Sequence, residues 1–154
     1  MQKDEIADIL KEIGVFLELR GENPFKTRAY QNGARTLEGL TEPLEMLIEE
    51  ERLGKVKGIG SALADKITEL STTGKLAYYD DLKASIPEGL IAMLNIPGLG
   101  SKKVKAVHEK LGIDSVEALE EACKENRLAE LPGFGKKTEM KILEGIEFRR
   151  NYAS

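Results

Sequence analysis

The sequence predicts an all-α protein, and three observations carry that prediction. Apolar residues recur with a helical period through most of the 154 residues, no run alternates apolar and polar residues long enough for a strand, and one glycine-cornered frame returns three times between helical stretches. Ile6, Ile9, Leu10, Ile13, Phe16 and Leu17 mark one face of a first helix, which Arg20, Gly21 and Glu22 stop. Asn23 before Pro24 reads as the cap and first residue of a second helix, running from Phe25 to Leu37. Its small residues Ala29, Gly33 and Ala34 let another helix come close. Pro43 opens a third helix through Leu44, Leu47 and Ile48; Leu63 to Leu70 form a fourth, capped by Ser61 and closed by Gly74; Tyr79 to Ala84 form a short fifth. Beyond Pro87 the helical stretches are Gly89 to Leu94, Lys102 to Leu111, Ser115 to Lys124 and Lys136 to Arg149.

The repeated frame is apolar, any residue, Gly, apolar, Gly. It appears as Val56-Lys57-Gly58-Ile59-Gly60, Ile96-Pro97-Gly98-Leu99-Gly100 and Leu131-Pro132-Gly133-Phe134-Gly135, at intervals of 40 and 35 residues. Each copy lies between helical stretches, so each reads as a helix, a tight hairpin and a second helix. The domain boundary expected from this pattern separates residues 1–76, with one hairpin, from residues 77–154, with two.

Composition excludes several functions. With 23 basic and 27 acidic side chains the net charge is −4, which rules out a uniformly basic nucleic-acid coat. Aromatics make up 5% and tryptophan is missing, so aromatic cages and base-stacking sheets are disfavoured. The lone Cys123 and the lone His108 exclude an intrachain disulfide and leave a zinc site unsupported, so no metal site is expected. Asp80 and Asp81 are adjacent, point apart on a helix and have no third carboxylate nearby, which makes them capping or solvated groups. An acidic start, MQKDEIADIL, and the lack of an apolar run of membrane-spanning length lead to the expectation of a cytoplasmic protein with no membrane contact.

The hairpins themselves suggest a ligand. Glycine permits a positive φ and leaves no Cβ in the way, so a backbone N–H can approach a phosphate closely. The next helix starts there with unpaired N–H donors and the positive end of its dipole. Charge follows the glycines: residues 51–75, 96–112 and 131–154 carry +2, +3 and +2, while the segments between and before them are net negative. Gly58, Gly60 and Ser61, Gly98, Gly100, Ser101, Lys102 and Lys103, and Gly133, Gly135, Lys136 and Lys137 are therefore the expected contacts to a nucleic-acid backbone. A lone glycine pair would be an ordinary interhelical turn; three in one frame, each with a basic island, point to phosphate. Ile59, Leu99 and Phe134, between the glycines, are expected to plug into the local core.

On the first hairpin's second helix, Lys66 falls at the edge of the stripe made by Leu63, Ile67 and Leu70. Burial and positive neighbours lower a lysine pKa, and a neutral amine forms Schiff bases with aldehydes. Lys26 and Tyr30, four apart, share a helix face and offer a cation and a hydroxyl to one anion. From position alone, the solvent-facing reading of Lys66 outweighs the reactive one, because a boundary lysine on a helix ordinarily runs its stem along the surface and keeps its amine in water.

These residues carry a resemblance. Asn23-Pro24-Phe25-Lys26 through Ala29-Tyr30, then Gly58-Ile59-Gly60-Ser61-Ala62-Leu63-Ala64-Asp65-Lys66-Ile67 and Thr73-Gly74-Lys75-Leu76, resemble the N-terminal part of family X DNA polymerases, the group containing DNA polymerase beta. The pattern is that of the bacterial and archaeal PolX branch, whose further helix-hairpin-helix motifs match the two later hairpins. The resemblance implies a DNA repair role on gapped or nicked duplex, with a pocket for the 5′-phosphate end, and with it the expectation of a nucleoid-associated monomer. It implies Lys66 as the Schiff-base nucleophile of a base-excision deoxyribose-phosphate lyase, Lys26 and Tyr30 as phosphate-binding and site-shaping residues, and Lys75 as a further basic contact. No organic cofactor is implied; in some relatives a monovalent cation sits on hairpin carbonyls. One departure is Ala62, where the best-known lyase of the family has a second lysine. Neither a polymerase palm nor a PHP phosphoesterase domain fits into 154 helical residues, so polymerase activity is not expected of this chain alone, and the chain is expected to be a fragment. Two other functions compete: a non-catalytic tandem helix-hairpin-helix scaffold that binds DNA, and a protein-interaction module whose hairpins are only turns.

Overall fold

The computed structural model describes residues 1–152, which hold nine α-helices and two short 3₁₀ turns, with no strand among them. The chain divides into two compact units, Met1–Ser85 and Ile86–Ser154.

In the first unit, α1 (Lys3–Leu19) packs along α2 (Pro24–Glu38). Asn23 caps α2 as its side chain accepts the Phe25 N–H at 2.9 Å, and Pro24 stands where no N–H is needed. Gly14 of α1 lies against Thr27 and Tyr30, so the two helices meet through a position without a side chain. Then come α3 (Leu44–Glu49), a 3₁₀ turn at Leu53–Lys55, α4 (Ser61–Thr73) and α5 (Ala77–Ala84). Ile6, Leu10, Ile13, Leu17, Leu37, Leu47, Ile59, Ile67 and Leu70 form the core, fully enclosed. Gly74, with φ of 75°, ends α4 as expected. Of the small residues on α2, Gly33 sits against Leu63 of α4 and Ala34 is buried, whereas Ala29 faces solvent.

The expected division after residue 76 differs from the contact pattern, which keeps α5 with the first unit. The reason is aromatic. Tyr79 stacks on Phe16 at 6.2 Å and its hydroxyl donates to Glu12, while Tyr78 stacks on Tyr30, so two rings of α5 bind it to α1 and α2.

The second unit comprises α6 (Glu88–Leu94), α7 (Ser101–Leu111), α8 (Val116–Lys124), a 3₁₀ turn at Leu128–Glu130 and α9 (Lys136–Tyr152). Met93, Ile96, Val104, Val107, Leu119, Ala122, Leu128 and Ile142 build its core. Ser115 caps α8 by accepting the Ala118 N–H at 3.1 Å. Glycine permits two close approaches: Gly89 to the Asp114 carbonyl and Gly145 of α9 to the Pro97 carbonyl. Cys123 is buried, and burial with the neighbouring carboxylates of Glu139 and Glu120 pushes its thiol up to about 11. No helix among the described residues is long and apolar enough to cross a membrane.

Candidate nucleic-acid interface

All three repeated frames fold alike. The first glycine of each takes a left-handed conformation, with φ of 97° at Gly58, 87° at Gly98 and 82° at Gly133. The apolar residue before it accepts a turn hydrogen bond from the apolar residue after it: Val56 from Ile59, Ile96 from Leu99, Leu131 from Phe134, at 2.9 to 3.1 Å. Those middle residues are inserted in the core, Ile59 at 2%, Leu99 at 4% and Phe134 at 7% exposure, as their spacing predicts. The carbonyl of the second glycine takes the first helical hydrogen bond of the next helix: Gly60 from Ala64, Gly100 from Val104, Gly135 from Glu139. That places the helix cap at Gly60, which corrects the expectation for Ser61; the extended backbone of Gly60 makes the turn into α4, and Ser61 is already its first helical residue.

The turns are open to a ligand. A Cβ placed on Gly60, Gly98, Gly100, Gly133 or Gly135 would meet nothing within 4 Å. Neither α4 nor α7 has a side chain capping its first turn, so the N–H groups beginning with Ser61 and Ser101 remain available. Lys102, Lys136 and Lys137 are exposed, and Lys103, half-buried, folds back with its Nζ 3.5 Å from the Gly98 carbonyl. Among the described residues none of these four lysines has a carboxylate within ion-pair distance.

A second feature gathers around Lys66 in the first unit. Lys66 on α4 is half-buried, and its Nζ stands 4.8 Å from the centroid of the Tyr78 ring on α5. The Tyr78 ring lies 6.2 Å from that of Tyr30 on α2, with the planes 6° apart. Tyr30 is 7% exposed, and burial, then the adjacent Tyr78, pushes its hydroxyl well above the ordinary tyrosine value. Beside this column lies a recess of about 290 Å³ lined by Leu17, Arg20, Glu22, Lys26, Tyr78, Asp81 and Leu82. Lys26 is exposed and reaches Glu22, one turn earlier, at 3.8 Å. Lys66 and Tyr30 thus meet the Tyr78 ring, and Lys26 shares the recess wall with that ring, whereas Lys66 and Tyr30 are not among the residues lining the recess. Lys75, exposed beyond Gly74, makes no hydrogen bond or ion pair with any of them. Asp80 and Asp81 are both exposed on α5, and no group of three or more His, Cys, Asp or Glu among the described residues is arranged to hold a metal.

Tyr78 escaped the sequence reading because the expected boundary left it outside the first unit. A signal was present: Tyr78 and Tyr79 are two of only four tyrosines, adjacent on one short helix. Glu139 also went unread. It occupies the position in α9 that Ala64 and Val104 hold in α4 and α7, is 3% exposed, and accepts the Ala129 N–H at 3.0 Å. A buried carboxylate there ties the 3₁₀ turn before the third hairpin to the helix after it.

Comparison with known proteins gives a consistent picture. Residues 1–76 match the family model of a helix-hairpin-helix domain, and residues 90–147 match that of a SAM-like helix-hairpin-helix tandem. Over 146 residues the chain is 38% identical to the DNA polymerase/3′-5′ exonuclease PolX of Bacillus subtilis (strain 168). The alignment covers 95% of this chain and 25% of that relative, so the chain spans about a quarter of the length of the protein it matches.

Proposed function

The chain belongs to the helix-hairpin-helix proteins, as a relative of the N-terminal region of family X DNA polymerases, and from that premise we propose that it binds gapped or nicked DNA. The observation that carries this reading is the common shape of the three hairpins. Each offers a left-handed glycine, an exposed second glycine at a helix start and unneutralised cations close by, the parts a phosphate oxygen requires. The overall charge of −4 does not oppose it, because the contacts are local main-chain donors with a basic side chain or two at each corner.

In this reading the recess beside Lys26 and Tyr78 takes the 5′-phosphate end, and Lys66 is the nucleophile of a deoxyribose-phosphate lyase. The neutral Lys66 amine, its proton given up to solvent, adds to the C1′ aldehyde of the ring-opened abasic sugar. Loss of water gives the Schiff base. Removal of a C2′ proton then expels the 3′-oxygen as phosphate ester, and water hydrolyses the remaining imine to restore the amine. Lys26 meets that phosphate in the recess, Gly58, Gly60 and Ser61 hold the phosphate backbone at the hairpin, Tyr30 shapes the pocket from beneath, and Lys75 adds a basic contact on the strand. A non-catalytic scaffold is the second reading, favoured by Ala62, which leaves the Lys66 helix without a second cation one turn earlier.

Two measurements separate these. Gapped duplex with a 5′-phosphate is expected to bind about tenfold more tightly than the same duplex with a 5′-hydroxyl, as fits one to two charge-assisted hydrogen bonds. Affinity is expected to fall steeply with salt. Equal binding of both duplexes and a flat salt response would favour the protein-interaction reading. Borohydride in the presence of a 5′-abasic end is expected to trap a covalent adduct that Lys66→Ala abolishes; equal trapping in the variant would remove Lys66 from the chemistry, and no trapping in either would leave the scaffold.

A further inference from the structure

The column beside the recess is built around a side chain to which nothing yet gives a role. Lys66 is half-buried, and among the described residues no carboxylate lies within ion-pair distance of it; what its ammonium meets is the Tyr78 ring, 4.8 Å from the centroid. A lysine stem has four rotatable bonds, so an amine without a partner sweeps a wide volume. The negative face of an aromatic ring attracts the resting ammonium and narrows that volume, so the amine left when the proton departs to solvent already stands over the ring. Tyr78 can serve as a fixed point because it is itself held: its ring stacks, nearly parallel, on the buried Tyr30. The contact therefore joins three helices, α4 through Lys66, α5 through Tyr78 and α2 through Tyr30. The same Tyr78 forms part of the recess wall with Arg20 and Lys26.

We propose that Tyr78 is a positioning residue for Lys66: its ring, itself part of the recess wall, holds the amine beside the recess where a 5′ sugar-phosphate docks. The proposal rests on the lyase reading above. A nucleophile held near its target reacts faster than one that must first be recruited from solvent, so loss of the ring slows the covalent step even when the duplex is saturating. The hydroxyl of Tyr78 is not needed for this, only the ring.

The test uses the full chain with Tyr78→Leu, which keeps an apolar side chain against Tyr30, and Tyr78→Phe, which keeps the ring face. With saturating 5′-abasic gapped duplex, borohydride trapping is expected to be at least tenfold slower in Tyr78→Leu and within twofold of the parent in Tyr78→Phe. Trapping by Tyr78→Leu at the parental rate, or by Tyr78→Phe as slowly as by Tyr78→Leu, would overturn the proposal. Proton NMR gives a reading that needs no chemistry: the Lys66 ε-methylene resonance is expected upfield, shifted by the ring, in the parent and in Tyr78→Phe, and back at its ordinary position in Tyr78→Leu. If the parent forms no adduct at all, the lyase reading fails by itself; an unshifted ε-methylene in that protein then overturns the positioning contact too, and a shifted one supports it.

Discussion

Gly58 and Gly98 hold the same place in two hairpins, yet an added methyl group would meet different surroundings at each. Both have a positive φ, which costs an alanine about 1–2 kcal/mol. At Gly98 the methyl would point into open space, whereas at Gly58 it would stand 2.5 Å from the Thr36 hydroxyl. Gly98→Ala is therefore expected to lose about 1–2 kcal/mol in urea unfolding. Gly58→Ala is expected to lose about 1 kcal/mol more from crowding, an excess that vanishes in a Thr36→Ala background. An equal loss in both single variants would show that Thr36 yields freely. At this scale the sequence was only partly legible. The glycines and the plugs Ile59, Leu99 and Phe134 could be placed from the frame, since their roles follow from local backbone geometry. The ring contact of Lys66 could not, because Tyr78 lies twelve residues further along the chain and a fold, not a spacing, brings it back.

At the scale of elements, the helices followed their apolar period, and the pieces that escaped were the two 3₁₀ turns at Leu53–Lys55 and Leu128–Glu130. Three residues are too few to show a period. They extend the repeat nevertheless. Seven residues before the first glycine, Glu51 (φ of 55°) and Asn126 (φ of 59°) both adopt the left-handed conformation. The next N–H closes a long turn on the preceding helix, Arg52 to the Leu47 carbonyl and Arg127 to the Ala122 carbonyl, each at 2.9 Å. This is a helix ending that ordinarily calls for glycine or asparagine. Asn126 suits it; Glu51 does not. Glu51→Gly is expected to raise stability by about 0.5–1 kcal/mol, the relief of strain exceeding the added flexibility of the unfolded chain. Asn126→Gly is expected to gain less, and thermal melts of the two variants would show the order. A destabilised Glu51→Gly would mean that the glutamate side chain contributes more than its backbone costs.

At the scale of the whole molecule, two units with separate cores each carry hairpins. Phosphate contacts add in their effect on the salt response, since each one releases counterions. The full chain is therefore expected to show a steeper dependence of log affinity on log salt than residues 1–85 or 86–154 taken alone, each fragment first checked for a cooperative melt. A fragment that matches the slope of the full chain would confine binding to one unit. The sequence by itself determined the helical class, the three hairpins and their cations, because period, glycine and local charge act over a few residues. Tertiary structure alone decided that α5 belongs with the first unit, that Tyr30 and Tyr78 stack beside Lys66, and that a carboxylate is buried at Glu139. Those outcomes depend on which surfaces meet, and ring stacking and desolvation exist only after distant segments have come into contact.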